Sequence, residues 1–172
     1  MHLTSHPLLV DTNCILECHR TLSWNALCAR YRTETVEVCV METQTGFQMR
    51  KPEERIDERE LRSRLAAVHP VSDAALAGAV VREPMIGALD VGEQNLWAHA
   101  LTHEDAWILC GPDSASMRIG IRLGLRDRLV SLERLLTEIG HRAKPALRRA
   151  YSEAWLAEKL NQFVVAEFGA SR

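Results

Sequence analysis

Pro7-Leu-Leu-Val-Asp11-Thr-Asn13 is the stretch on which the reading of the fold turns. A short, wholly apolar run that stops at an acid and passes at once into a Thr/Asn turn reads as a buried strand feeding a helix, the opening of a parallel α/β unit. Downstream, residues 14–31 place Ile15, Cys18, Leu22, Ala26 and Ala29 toward one side and read as a single helix. Thr35 to Met41 alternates and is β-branched, so it reads as a second strand, ending at Glu42, with Glu37 as the rival acid of that segment. Two strands ending in carboxylates matter, because open parallel sheets gather functional groups at the carboxyl ends of their strands.

The remaining segments extend the pattern. Residues 50–64 (RKPEERIDERELRSR) are densely charged, with a break expected at Pro52 and a helix from about Ile56 to Val68. Asp73 is expected to cap a helix over 74–81, before a break at Pro84-Met-Ile-Gly87. Glu93 falls in the first turn of a helix carrying Leu96, Trp97, Ala100 and Leu101, where the helix dipole favours an anion. Ala106-Trp-Ile-Leu-Cys110 reads as a third strand running into Gly111-Pro-Asp113-Ser114, with a helix to Leu123 closed by Gly124. Leu129 to Leu132 is a fourth short strand candidate, followed by a helix stopped by Gly140, and residues 146–168 read as one long amphipathic helix. The expected fold class is α/β, a mostly parallel central sheet with an added C-terminal helix. Residues 1–140 would form the domain, and 141–172 an extension packed on it or on a dimer partner.

Composition narrows the classes of function. With 47% hydrophobic and 26% charged residues among 172, the chain is built to bury a core and not to stay disordered. No apolar stretch reaches bilayer-spanning length, so membrane embedding is not expected. Five cysteines, an odd number in apolar settings, fit reduced thiols and a cytoplasmic location better than a disulfide framework. Cys14, Cys18 and His19 lack the second ligand pair of a zinc motif, and His99 and His103, though spaced i, i+4, lack an H-E-x-x-H context. Neither set is expected to hold a metal. Net charge is only −2, but Arg118 to Arg149 holds nine Lys/Arg against three acids, +6 against −8 elsewhere. Arg118 and Arg122 of that zone are the candidate nucleic-acid contacts.

Asp11, Glu42, Glu93 and Asp113 are thus acids placed at strand ends or a helix start. A cluster of carboxylates stays ionised only beside a cation, so their convergence would imply Mg²⁺ or Mn²⁺. Val10-Asp11-Thr12-Asn13 resembles the opening motif of PIN-domain proteins. Asp90-Val-Gly-Glu93-Gln-Asn-Leu-Trp-Ala-His-Ala100 is similar to the Gly-Glu helix of that superfamily, and Leu109-Cys-Gly-Pro-Asp113-Ser to its later strand-to-acid turn. The resemblance runs in order over about residues 7–140. It implies a three-layer α/β/α sandwich and a metal-dependent nuclease, usually acting on RNA and in some cases the toxin of a toxin–antitoxin pair. By that resemblance Asp11, Glu93 and Asp113 hold Mg²⁺ or Mn²⁺ and Glu42 is the fourth catalytic acid. Thr12, Asn13 and Ser114 support them. Asp113 stands alone where some relatives carry two acids, which leaves the number of metal ions open.

Two other readings compete. One is a PIN-like module with a degraded acidic site that binds nucleic acid or a protein without cutting. The other is an unrelated α/β domain, such as a small phosphotransfer enzyme. The nuclease and the PIN-like module both require Asp11, Glu93 and Asp113 to meet in one crevice.

Overall fold

A computed structural model describes residues 3–45 and 55–169. β1 (Leu8–Val10) leads into α1 (Thr12–Arg20) and α2 (Trp24–Arg30), then β2 (Thr33–Val36) and α3 (Glu37–Gln44). After the charged segment come α4 (Glu58–Arg64), β3 (Ala67–His69), α5 (Asp73–Arg82) and α6 (Val91–Ala100). β4 (Ile108–Cys110), α7 (Ser114–Arg122), α8 (Leu132–Glu138) and α9 (Glu153–Phe168) complete the order.

The sheet is all parallel, in the order β3-β2-β1-β4, with Leu8 opposite Thr33 on one side and Leu9 opposite Leu109 on the other. β1 is central, and all three of its residues are fully buried, as expected for a strand covered on both faces. Alternation divides it between two cores. Leu8 and Val10 pack with Ile15 of α1, Leu27 of α2, Leu61 of α4 and Leu132 of α8. Leu9 packs with Ala79 of α5, Trp97 of α6, Ile119 of α7 and Leu160 of α9. This is the expected α/β arrangement of helices on both faces of a central parallel sheet, with a C-terminal helix.

Several elements differ from the sequence reading. The helix expected over 14–31 is two helices, because the chain leaves α1 through Leu22 at φ 55°. The Ser23 N–H returns to the Cys18 carbonyl at 2.8 Å, the helix-ending bond that glycine normally accommodates. Gly124 (φ 69°) and Gly140 (φ 68°) end α7 and α8 in the same way, where the sequence placed them. The strand expected over 35–41 ends at Val36 and becomes α3. The helix expected to Val68 stops at Arg64 and is followed by β3, while the Pro52 break lies outside the described residues. Ser72, not Asp73, caps α5. Leu129 makes only an isolated bridge to Leu109, so 129–132 is no strand. The long C-terminal helix begins at Glu153, after a 3-10 turn at Arg149–Tyr151.

Residues 141–169 are built into both cores. Tyr151 belongs to one, and its hydroxyl donates to the Asn13 carbonyl at 3.1 Å; Leu156 and Leu160 belong to the other. The Arg148 N–H donates to buried Glu17 at 2.8 Å, fixing this segment against α1.

Candidate metal centre

The sheet order creates a switch point. From β1 the chain crosses to β2 on one side, while β4 joins β1 from the other, so a crevice opens beyond their carboxyl ends. Asp11 directly follows β1 and Asp113 lies three residues beyond β4. Each caps the helix it precedes. Asp11 Oδ1 accepts the Cys14 N–H at 2.6 Å, and Asp113 Oδ1 accepts the Ser116 N–H at 2.8 Å. Capping explains why an aspartate suits each position even without a ligand, and it directs the carboxylates to the helix entrances around the crevice.

α6 brings the third acid. Asp90 caps it by accepting the Glu93 N–H at 2.9 Å, and Glu93 follows in the first turn, 7% exposed. The fourth acid arrives differently from expectation. Glu42 is not at a strand end; it lies in α3, which packs against both α1 and α6. There it accepts the Thr12 hydroxyl, and its Oε1 accepts the Gly92 N–H at 3.1 Å. Glu37 turns away and forms a two-point ion pair with Arg62, at 3.0 and 2.7 Å. Glu42 is therefore the crevice acid of this segment.

Two glycines allow the close approach. A Cβ on Gly111 would stand 2.9 Å from Asp11 Oδ2, and one on Gly92 would stand 2.8 Å from Glu42 Cδ. The Gly-Glu dipeptide marked the second from sequence. Gly111 and the Cys39 carbonyl, 3.4 Å from Thr12 Oγ1, carried no comparable signal.

Electrostatics shows that these acids act on one another. Glu93 is pushed up to about 8, first by burial and then by the charges of Asp113 and Asp90, a hydrogen bond with Asp113, and the charge of Glu42. Asp11 is also held well above the usual carboxylate range, first by burial, with Glu93 and Asp113 pushing the same way. Asp11, Glu93 and Asp113 thus act on one another electrostatically, with Glu42 and Thr12 beside them, but no three of these carboxylates bring oxygens within 4.8 Å of one another. Asn13 lines the same cleft, and Ser114 opens α7 half-buried next to Asp113.

The candidate nucleic-acid contacts are already engaged. Arg118 pairs with Glu167 of α9, and Arg122 bridges Glu83 at 2.9 Å and Glu167 at 2.8 Å. Neighbouring basic residues are also occupied: Arg128 reaches the Trp107 carbonyl at 3.1 Å, and Arg149 pairs with Glu158 at 3.1 Å. Acids distant in sequence offset much of the basic zone that the local count exposed.

The five cysteines are free thiols. Cys14 and Cys18 face the core, and His19 stacks on Trp24 with ring centroids 5.3 Å apart. Among the described residues no helix is long and apolar enough to cross a membrane. A second cluster, which the sequence did not anticipate, joins Glu34 of β2 to His99 and His103. Burial, followed by the neighbouring His69 and His103, holds His99 at about 4, so its ring is neutral at pH 7. Comparison of the chain with protein-family models, with curated proteins and with solved structures returned no match.

Proposed function

We propose that the chain is a metal-dependent nuclease of PIN type, an endoribonuclease that hydrolyses phosphodiester bonds at the acidic crevice. The observation that carries this reading is that Asp11, Glu42 and Glu93 line one cleft beside the carboxyl end of β1, with Asp113 acting on Asp11 and Glu93 electrostatically. The residues suit a hard cation in their chemistry: the donors are all carboxylate oxygens, and Asp11 and Glu93 are held above the usual carboxylate range first by burial and then by neighbouring acids, a charge that a cation would relieve. Asp11, Glu93 and Asp113 would hold Mg²⁺ or Mn²⁺, which supplies a water activated at neutral pH and a counter-charge for the leaving oxygen.

The chain's own groups do the rest. Glu93 keeps a proton near neutrality in the metal-free chain and would release it on ligating the ion, which couples binding to pH. Thr12 donates its hydroxyl to Glu42, and Gly92 donates its N–H, so Glu42 is held in orientation from two sides. By the resemblance, attack of water on phosphorus would leave 3′-hydroxyl and 5′-phosphate ends. The choice of RNA over DNA rests on the resemblance alone. So does a toxin role, which would require an antitoxin partner.

A second reading, a module that binds nucleic acid or protein without cutting, draws on the single acid of the Gly111-Pro112-Asp113 turn. Incubating an unstructured RNA with the protein and Mn²⁺ separates the two. Cleavage that is lost on adding a chelator and in Asp113→Asn supports the nuclease. Mn²⁺ binding with equal RNA integrity in both proteins supports the non-catalytic module.

A further inference from the structure

α6 is occupied at both ends. Glu93 opens it at the acidic crevice. His99, six residues later and so about 9 Å along the axis, lies in its last turn, with His103 just beyond. The strands run the opposite way, which brings this end of α6 over β2 near Glu34, a glutamate with no exposed surface. Glu34 lies opposite Leu9 in one pairing and Ala67 in the other, so its side chain leaves the sheet on the face that α6 covers.

The groups that meet there are the donors of a transition-metal site. One carboxylate oxygen of Glu34 and one ring nitrogen each of His99 and His103 lie within 4.8 Å of one another. The His99 and His103 Nε2 atoms are 2.9 Å apart, close to the roughly 3.3 Å that separates two imidazole nitrogens on one tetrahedral ion. His69, at the end of β3, places its Nε2 2.7 Å from Glu34 Oε2 and stacks its ring on His99 at 4.0 Å. Arg32 takes the other oxygen, Oε1, at 2.6 Å from a side chain that is mostly exposed.

We infer that Glu34, His99 and His103 form a binding site for a zinc-type divalent cation, with His69 holding the Glu34 carboxylate in position. Two imidazoles and a carboxylate are the donor set that zinc and its neighbours Co²⁺ and Ni²⁺ accept, whereas Mg²⁺ prefers oxygen alone. A hydrogen bond to the ligating carboxylate is the support such sites use to fix their geometry. Three protein donors leave a fourth position, and the half-buried state of His99 and His103 gives solvent access to it. Ligation would tie the C-terminal end of α6 to the β2–β3 edge of the sheet. This inference does not depend on the nuclease reading, because the two clusters share no residue.

The test uses the full chain, freed of metal by a chelator and titrated with Co²⁺. The expected result is one equivalent that develops the intense visible ligand-field absorption of a four-coordinate ion, displaced by Zn²⁺, whereas any Co²⁺ taken by the carboxylates is six-coordinate and absorbs only weakly. His103→Gln, at a half-exposed position that should leave the fold intact, is expected to abolish that spectrum. His69→Ala is expected to weaken binding about tenfold, and Asp11→Asn to leave it unchanged. Absence of the four-coordinate spectrum in the wild type would overturn the inference, showing the cluster to be a hydrogen-bonded network only. A spectrum that survives His103→Gln or vanishes in Asp11→Asn would overturn it as well, by placing the ion elsewhere.

Discussion

Replacing Glu93 by glutamine should stabilise the metal-free protein in alkaline solution and do nothing for it in acid. The free carboxyl of a glutamate titrates near 4.5, whereas Glu93 in the fold titrates at about 8. Below the lower value both native and unfolded chains hold the proton, and the site costs nothing. Between the two the unfolded chain releases a proton that the native chain keeps, so stability falls as pH rises through this window. Above about 8 the penalty is complete. At about 1.4 kcal/mol per pH unit, the full displacement corresponds to roughly 4–5 kcal/mol. Water entry and relaxation on ionisation reduce this to about 2 kcal/mol. For a chain of this size that is a difference in Tm of about 4–8 °C. Thermal unfolding of wild type and Glu93→Gln in a chelating buffer, at pH 4.5 and pH 8.5, reads it directly. The two proteins should coincide at the lower pH, and the variant should be the more stable at the higher. Adding Mn²⁺ at pH 8.5 should reverse the order, because only the wild type retains the full ligand set. A variant no more stable than wild type at pH 8.5, or a gap of equal size at both values, would refute the reasoning.

Three other outcomes follow from the geometry. Gly92→Ala should leave folding largely intact, since the Glu42 side chain can swing aside, but weaken Mn²⁺ binding about tenfold by calorimetry as Glu42 loses its anchor. Gly120→Ala puts a Cβ 3.2 Å from Leu129 Cγ, inside the packed core between α7 and the sheet, and should cost about 1–3 kcal/mol in urea unfolding. Leu22→Gly relieves a left-handed leucine that is 77% exposed, and should raise stability by about 0.5 kcal/mol after the added chain entropy of glycine; a loss would show that Leu22 makes contacts worth keeping.

Some of this structure was legible in the sequence and some was not, for identifiable reasons. β1 and β4 stand out because strands buried on both faces are unbroken apolar runs, and the aspartates after them double as helix caps. Asp11 and Asp113 could therefore be placed at strand ends before any coordinates, and Glu93 in the first turn of a helix. The α3 helix was hidden because it sits between the two cores, with Val40 in one and Cys39 in the other, which erases the one-sided stripe that betrays a helix. Glu42 was chosen for its position at a strand end and reaches the crevice by way of a helix. The break between α1 and α2 was missed because leucine occupies the turn position that glycine marks in α7 and α8. β3 is three half-buried residues long and gives almost no periodic signal. Charge was the least local property: Arg118 and Arg122 read as a free basic face until the fold brought Glu83 and Glu167 against them. The Glu34–His99–His103 cluster spans most of the sheet connectivity, and spacing along the chain reveals only its histidine pair.

The most direct measurement is calorimetric titration of Mn²⁺ into the wild type, Asp11→Asn and Asp113→Asn, with His103→Gln included to account for any ion taken by the histidine cluster. Binding in the wild type and in His103→Gln, weakened in both aspartate variants while they remain folded, is the expected result. Absence of binding by the wild type, or binding that the aspartate variants retain in full, would contradict a metal centre in the crevice and with it the proposed hydrolytic chemistry.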